Sequence, residues 1–220
     1  MSVDIDAQND FAQLADGLET ATLRRKDTNN SAAISAARRF DVVAQEATPS
    51  DGAARQADAI WHFQLPTGET APAVGDVVVD QLGSRWTILE VHEFSLLGRW
   101  KCVTRELSVA FSCLDRVDIE RAVWGDLGAG PVIVDWIYVR TAMPVKIQPE
   151  GLVIVDGNVT PPVWQAQFQI ILSESVALEA DDRFVAEDGT VYRLQSYAQA
   201  ERIDALPMAK VWRDDTAGTP

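Results

Sequence analysis

The sequence predicts a mainly β protein built from two tandem small modules, each a β-barrel or sandwich made of meanders, with one short N-terminal helix. Three observations support this fold class. Residues 75–105 alternate apolar and polar side chains as a β-meander, reading GDVVVDQLGSRWTILEVHEFSLLGRWKCVTR. Residues 182–197 repeat its order of acidic residue, strand, glycine turn and aromatic-bearing strand. The length of 220 residues suits two domains of roughly 100 residues each.

The repeat indicates a tandem duplication. The two stretches align without gaps at a constant offset of 106 residues, from Asp76 to Asp182. A glycine lies in each predicted hairpin turn, and a large ring lies on each following strand. The aligned pairs are Asp76 and Asp182, Val79 and Val185, Gly83 and Gly189, and Trp86 and Tyr192.

The first module is predicted over residues 19–124, after an arm at residues 1–18. Asp10 can cap a short helix that carries Phe11, Leu14 and Leu18 on one face. Residues 20–24 alternate as a strand. Residues 34–46 suit either a helix or a strand, and the β-rich run at Phe40 favours the strand.

A loop is predicted over residues 47–58, where Pro, Gly and small polar residues show no periodicity. Such a segment cannot build a core, so we expect it to contribute to assembly with other proteins. The candidate residues are Ser50, Asp51, Gly52, Arg55 and Gln56.

The predicted linker is GDLGAGP, residues 125–131, because three glycines and a proline break both helix and central strand. Residues 107–118 before it read as a strand, and residues 116–124 as a strand or a short helix joining the modules. The second module, residues 132–213, begins with β-branched and aromatic residues at 132–141, typical of a strand buried on both faces. An Asp-Gly turn at Asp156, a strand at 163–172, a strand at 207–213 and a flexible tail at 214–220 follow.

The composition of the chain excludes several classes of function. The chain has 33 Asp and Glu against 19 Lys and Arg, and this net charge of −14 disfavours binding to phosphate backbones or anionic membranes. No stretch reaches the ~20 apolar residues of a membrane span, so we expect a cytosolic protein without a membrane partner. Cys102 and Cys113 lack the spacing of a zinc site and are too few for a disulfide framework, so we expect reduced core thiols.

The sequence predicts no catalytic, cofactor or metal site. It lacks the GxSxG, Walker A, HExxH and GxGxxG patterns. Two alternatives stay open, a hydrolase that uses His92 with a nearby carboxylate and a weak calcium site among Asp181, Asp182, Glu187 and Asp188. The seven tryptophans fall in or beside predicted strands, which favours core packing or anchoring at a protein interface.

Four phrases of the chain resemble the head-tail connector proteins of tailed bacteriophages, small β-barrel adaptor or stopper proteins that close the portal. They read GLETATLRR, AIWHFQLP, VGDVVVDQLGSRWTILEV and GRWKCVTREL. Gly75, Asp76, Gly83 and Trp86 carry the shared pattern, which covers residues 59–107 well and 182–213 less well. The chain is longer than a single stopper, and Asp181 stands where the first copy has Gly75.

The resemblance implies a structural protein of the virion neck, not an enzyme, that is in the host cytoplasm before assembly. It implies a homo-oligomeric ring of six or twelve copies, with the portal or adaptor and the tail proteins as partners. Adaptor, stopper and tail terminator stay open as its place in the neck. DNA would pass through the ring without sequence-specific binding. The alternative is a monomeric tandem β-barrel module that binds a glycan or peptide on exposed aromatic side chains.

Acidic turns are candidates for the surface of such a channel, because carboxylates repel a phosphate backbone within about a Debye length, ~8 Å in physiological salt. The candidate residues are Asp80, Glu187 and Asp188. The alternative is that these carboxylates only keep the subunit soluble.

Overall fold

The protein is mainly β, as the sequence predicts, in a computed structural model that describes most of the chain. The described residues are 16–26, 28, 30–42, 57–94, 99–126, 128, 130–156 and 163–214. Within them twelve strands form two sheets, and no helix is long and apolar enough to cross a membrane. The predicted helix at 10–16 and the predicted tail at 214–220 lie outside these ranges, apart from their residues 16 and 214.

The first sheet is a closed six-stranded antiparallel barrel. Its strands are β1 (Glu19–Arg24), β2 (Ser31–Asp41), β3 (Asp58–Gln64), β4 (Val77–Val79), β5 (Arg85–Phe94) and β6 (Arg99–Glu106). They run around the barrel in the order β1-β2-β3-β6-β5-β4, and β4 pairs with β1 to close it. Alternation along β3 points Trp61 and Phe63 into the barrel and leaves Ile60 and His62 outside.

The second sheet is also a closed six-stranded barrel. Its strands are β7 (Asp115–Asp126), β8 (Pro131–Asp156), β9 (Val163–Leu172), β10 (Arg183–Ala186), β11 (Val191–Ala198) and β12 (Met208–Arg213). The order is β7-β8-β9-β12-β11-β10, closed by the pairing of β10 with β7. Shifted by six strands, this is the order of the first barrel, so the sequence repeat is a repeat of the fold.

Hydrogen bonds recur at the same offset of 106 residues. Gly83 and Gly189 have φ angles of 85° and 83°, the left-handed region that glycine adopts without strain, and each closes a tight turn. The bond from Ile88 N to Asp76 O (2.8 Å) recurs as the bond from Leu194 N to Asp182 O (3.4 Å). The bond from Gly83 N to Asp80 O (3.1 Å) recurs as the bond from Gly189 N to Ala186 O (2.9 Å).

Each barrel contains an arginine–aspartate clasp, formed by Arg25 with Asp76 and by Arg121 with Asp182. Arg25 Nη1 lies 3.0 Å from Asp76 Oδ2, whereas Arg121 binds Asp182 through Nε at 2.9 Å and Nη2 at 3.0 Å. The hydrogen bond to Asp182 raises the pKa of Arg121. Both carboxylates are buried, and each accepts a backbone N–H from three residues earlier, Ala73 (3.0 Å) or Glu179 (2.7 Å).

Each barrel also has its own apolar core centred on a pair of rings. Trp61 and Trp86 meet edge to face with centroids 6.2 Å apart in the first barrel. Phe168 and Tyr192 do the same at 5.2 Å in the second. Since Trp86 and Tyr192 are the aligned aromatic residues of the repeat, the duplication extends to core packing.

The predicted module boundary at residues 125–131 is wrong. Gly125 and Asp126 end β7, Pro131 begins β8, and the two strands form a hairpin of the second barrel. The chain divides instead into two compact units, Met1–Ala110 with Arg202–Asp204 and Phe111–Glu201 with Ala205–Pro220. Glycine and proline mark a hairpin turn as readily as a linker, so composition alone misplaced the boundary.

The segment before that boundary also differs from its prediction. Residues 107–118 do not form one strand, because a helical turn, α1 (Leu107–Ala110), ends the first unit and β7 begins only at Asp115. Residues 116–124, left open between strand and helix, belong to β7. Residues 34–41 lie in the strand β2, as favoured.

Candidate functional site

Exposed apolar side chains are concentrated on the second barrel. Most of the large exposed hydrophobic residues of the described chain lie on β7 and β8: Trp124, Val132, Val134, Ile137, Tyr138, Leu152, Val153 and Ile154. Clusters of exposed apolar side chains mark interaction sites, whereas single exposed apolar residues are ordinary. These two strands are therefore the candidate functional surface.

The first part of this surface is a two-stranded extension, the Trp124 ribbon, made of residues 122–126 of β7 and 131–138 of β8. Beyond Glu120, β7 has lost its pairing with β10 and pairs only with β8. Trp124 is 50% exposed, Ile137 52% and Tyr138 63%. The prediction that residues 132–141 form a strand buried on both faces is wrong, because no second strand or sheet covers this half of β8 among the described residues.

The base of the Trp124 ribbon is fixed by a stacked ion pair. The Arg183 guanidinium lies 3.7 Å from the centre of the Trp136 ring, and its Nε donates to Glu120 Oε2 at 2.7 Å. Further out, a Cβ on Gly125 would lie 2.7 Å from Val134 Cγ1, so glycine allows the two strands to pack closely. The ribbon is thus held at its base and tightly paired beyond it.

The second part is the Leu152 ribbon, made of residues 151–156 of β8 and 163–167 of β9. Gly151 to Asp156 pair with Gln167 to Val163, and β12 reaches β9 only from Gln167 onward. A cavity of about 210 Å³ opens on this side of the barrel. Its lining consists of Val153, Ile154, Gln165, Ala166, Gln167, Gln195 and Trp212.

The predicted assembly loop cannot be placed. Ser50, Asp51, Gly52, Arg55 and Gln56 all lie outside the described residues. The turn expected at Asp156 lies largely in the undescribed range 157–162, although β8 and β9 flank it as predicted.

The prediction that Asp80 belongs to a channel surface is wrong, because its side chain is buried, with 1% of it exposed. Asp80 accepts hydrogen bonds from the backbone of Leu82 (2.9 Å) and Ser84 (2.8 Å), from Trp86 Nε1 (3.2 Å) and from Arg39 Nη1 (3.1 Å). A carboxylate directly before a Gly turn can accept hydrogen bonds from the turn amides and become buried. From a single sequence, such a carboxylate has the same pattern as an exposed one.

Glu187 and Asp188 do lie exposed, in the turn between β10 and β11. The Thr190 backbone N–H donates to Asp188 Oδ1 at 2.9 Å and holds the pKa of this carboxyl below its usual range. Their exposure allows contact with another molecule, and their orientation toward a channel stays a prediction.

The remaining candidates for chemistry form no constellation in the described residues. His92 Nε2 contacts Glu90 Oε1 at 2.9 Å, and both side chains are about half exposed. No group of three or more His, Cys, Asp or Glu in these ranges is placed to hold a metal ion. Burial raises the pKa of Cys102 to about 12 and that of the half-buried Cys113 to about 11. Both thiols are free, and Cys102 is in the core as predicted, whereas the prediction is wrong for Cys113, which is only partly buried and belongs to neither core.

Reading the sequence for core residues missed the Trp124 ribbon. The available signal was the GDLGAGP turn between an alternating segment, residues 115–124, and the β-branched run at 132–141, a pattern that fits a hairpin. Fold and surface together define a tandem β-barrel protein with an apolar, exposed pair of ribbons. No family model matches the chain, and no curated protein matches it.

Proposed function

We propose that the protein is a structural subunit that assembles through the ribbons of its second barrel, as a head-tail connector of the phage neck. It forms a ring around a DNA channel and contacts the portal or adaptor and the tail proteins. The observation that supports this proposal most strongly is the concentration of exposed apolar side chains on the Trp124 and Leu152 ribbons.

Two-stranded ribbons with apolar exposed residues gain stability when they are covered. An isolated hairpin is marginal in water, and each Å² of apolar area removed from water contributes about 25 cal/mol. Trp and Tyr are the residues that most often dominate binding energy at protein interfaces, and the Trp124 ribbon presents both Trp124 and Tyr138. These properties favour a protein partner.

The position of the two ribbons supports a ring. They lie at the two ends of one strand, β8, so each copy carries two different apolar surfaces. A contact between unlike surfaces of identical copies is heterologous, and such contacts generate closed rings when the rotation between copies closes.

The sequence resemblance supports the placement in the neck. The shared pattern of Gly75, Asp76, Gly83 and Trp86 forms the entry to β4, the β4–β5 turn and the start of β5. Its repeat occupies the same places around β10 and β11. The pattern therefore belongs to barrel construction, which is what a family of small barrel subunits would share.

The test is the mass distribution of the purified protein, by mass photometry and negative-stain electron microscopy, over a concentration series. We expect a ring of one copy number. Trp124→Ser with Ile137→Ser should shift the distribution to monomers without loss of fold. The matched control is Leu82→Ser, since Leu82 is 89% exposed on the first barrel and lies outside both ribbons. A wild-type chain that stays monomeric throughout would contradict the proposal.

A second function, a monomeric binding module for a glycan or peptide, is favoured by the cavity beside the Leu152 ribbon. Three glutamines and the Trp212 ring line its 210 Å³, and amides beside an aromatic face suit a sugar or a peptide backbone. Glycan-array binding that Trp212→Ala abolishes, in a protein that remains monomeric, would establish this function instead.

A further inference from the structure

The cavity beside the Leu152 ribbon lies where the second barrel loses a strand pairing. β12 pairs with β9 as far as Gln167, so the β9 edge at residues 163–166 is open in the described part of the chain. The cavity of about 210 Å³ opens at this edge, with walls from both strands of the ribbon and from Trp212 of β12. We call this cavity the Trp212 socket.

The size and the apolar walls of the Trp212 socket fit one aromatic side chain. A cavity of about 150 Å³ with aliphatic and aromatic walls holds a benzene molecule, so 210 Å³ has room for a larger ring. Val153, Ile154 and Trp212 supply the apolar walls, and Val153 and Ile154 are 44% and 48% exposed. No charged residue is among the described residues that line the socket.

The polar groups of the socket suit an indole better than a sugar. Gln167 Nε2 donates to Gln195 Oε1, so these two amides partly satisfy each other. Gln165, which also lines the socket, has no hydrogen-bond partner among the described residues. A buried indole needs one acceptor for its single N–H, whereas a sugar brings several hydroxyls that each cost free energy when they stay unpaired. The lining therefore fits a tryptophan side chain.

The chain itself exposes such a side chain near the other end of β8. Trp124 is 50% exposed and does not line the socket of its own copy. It lies on β7, whose residues 122–126 pair only with β8 in the described part of the chain. This edge and the 163–166 edge both lack Lys, Arg and Pro, residues that protect open strand edges from pairing. Two copies can therefore join these edges and bring Trp124 to the socket.

We propose that Trp124 of one copy fills the Trp212 socket of the next, with the open edge of β7 added to that of β9. This inference rests on the proposed ring and states which of its two unlike surfaces meets which. Trp124 Nε1 donates to Gln165 Oε1 of the next copy, and the indole covers the Val153 and Ile154 side chains. Each copy has one ring to insert and one socket to fill, so the contact is heterologous and can repeat until it closes.

The test mixes two variants of the full chain and identifies their complexes by native mass spectrometry. Trp124→Ala removes the indole and keeps the socket, whereas Ala166→Trp fills the socket and keeps the indole. Each variant alone should assemble roughly tenfold more weakly than the wild type or worse, because a buried aromatic anchor dominates such contacts. An equimolar mixture should form a heterodimer that grows no further, since its two remaining surfaces are the altered ones.

Two controls make the same kinds of change on the first barrel. Ala36→Trp alters a partly exposed alanine of β2, and Phe40→Ala removes an exposed ring. Both should assemble like the wild type. Circular dichroism shows whether each variant is folded, and Val153→Trp fills the socket from β8 if Ala166→Trp unfolds.

Several outcomes would overturn this inference. Rings formed by Trp124→Ala and by Ala166→Trp as readily as by the wild type would do so and would leave the proposed ring intact. Two folded variants that stay monomeric when mixed would also do so, as would homodimers of Ala166→Trp, which would show that like surfaces meet. A wild type that forms no ring would overturn both proposals. Glycan binding by a monomer, lost in Ala166→Trp, would assign the socket to a sugar instead.

Discussion

The two barrels agree on the inside and differ on the outside. Both have the same strand order, the same edge-to-face ring pair and the same arginine–aspartate clasp. The first is compact, whereas the second extends β7, β8 and β9 into apolar ribbons. The shared parts are those that the barrel fold needs, and the two barrels differ in the surfaces that they expose.

One inward feature also differs. Asp80 binds its turn, Arg39 and Trp86 in the first barrel, while Ala186 occupies the aligned position in the second. Tyr192 occupies the position aligned with Trp86, so the second barrel has neither the carboxylate acceptor nor the indole N–H that donates to it. Acceptor and donor are both present in one barrel and both absent in the other, as expected when an unsatisfied buried partner costs about 1–3 kcal/mol.

The largest expected effect comes from the aligned rings. Trp86→Ala should lower the free energy of unfolding by about 3–5 kcal/mol, because it leaves a cavity beside Trp61. Tyr192→Ala should do the same in the second barrel, at the lower end because the ring is smaller. Urea unfolding followed by circular dichroism measures both, with Trp86→Phe as the milder control. A curve unchanged by Trp86→Ala would show that the ring does not support the core.

The next largest effect on stability is expected at the two arginine–aspartate clasps. Asp182→Ala should cost about 3 kcal/mol, the low end for a broken buried ion pair, because Arg121 is 27% exposed and water partly screens its charge. Asp76→Ala should cost a similar amount. The control is Glu179→Ala, since Glu179 also contacts Arg121 but is 65% exposed and should contribute at most about 1 kcal/mol. Equal losses of unfolding free energy for Glu179→Ala and Asp182→Ala would show that burial of the Asp182 carboxylate does not strengthen its ion pair with Arg121.

A smaller effect is expected at Asp80, which sharpens the difference between the barrels. Asp80→Ala removes the acceptor of Trp86 Nε1 and of two turn amides, and should cost about 1–3 kcal/mol. Glu187→Ala, on the exposed turn of the second barrel, should change the urea midpoint little. A neutral Asp80→Ala would mean that water replaces the carboxylate at no cost.

The smallest effect is a pH dependence at His62. Its pKa in the folded protein lies below the ordinary 6.5, because burial and the cations Arg99, Lys101 and Arg38 disfavour its charged form. The unfolded chain therefore binds the proton first, and stability should fall as pH drops from about 6.5 toward the folded pKa. His62→Gln should remove this component from urea midpoints measured at neutral and acidic pH. His92→Gln, at an exposed position of β5, is the control, and equal slopes for wild type and His62→Gln would contradict the expectation.

Much of the fold was predictable because it follows local rules. Gly83 and Gly189 need a positive φ in tight turns, and alternation around them fixed the strands of both meanders. The boundary between the two units could not be predicted, because the glycine-rich hairpin turn at residues 125–131 has the same composition as a linker. The burial of Asp80 and the exposure of Ile137 were missed for a shared reason: both depend on which distant strand covers a residue, and periodicity does not record that.

The central claim, that the ribbons of the second barrel are the assembly surface, is tested most directly by hydrogen exchange on separated monomer and assembled fractions. The Trp124 ribbon (residues 122–126 and 131–138) and the Leu152 ribbon (residues 151–156 and 163–167) pair largely as two strands only, so their amides should exchange readily in the monomer. On assembly we expect strong protection there, with the core strands β3 and β9 near Ile170 unchanged. Ribbon amides that exchange equally in both fractions would contradict the account.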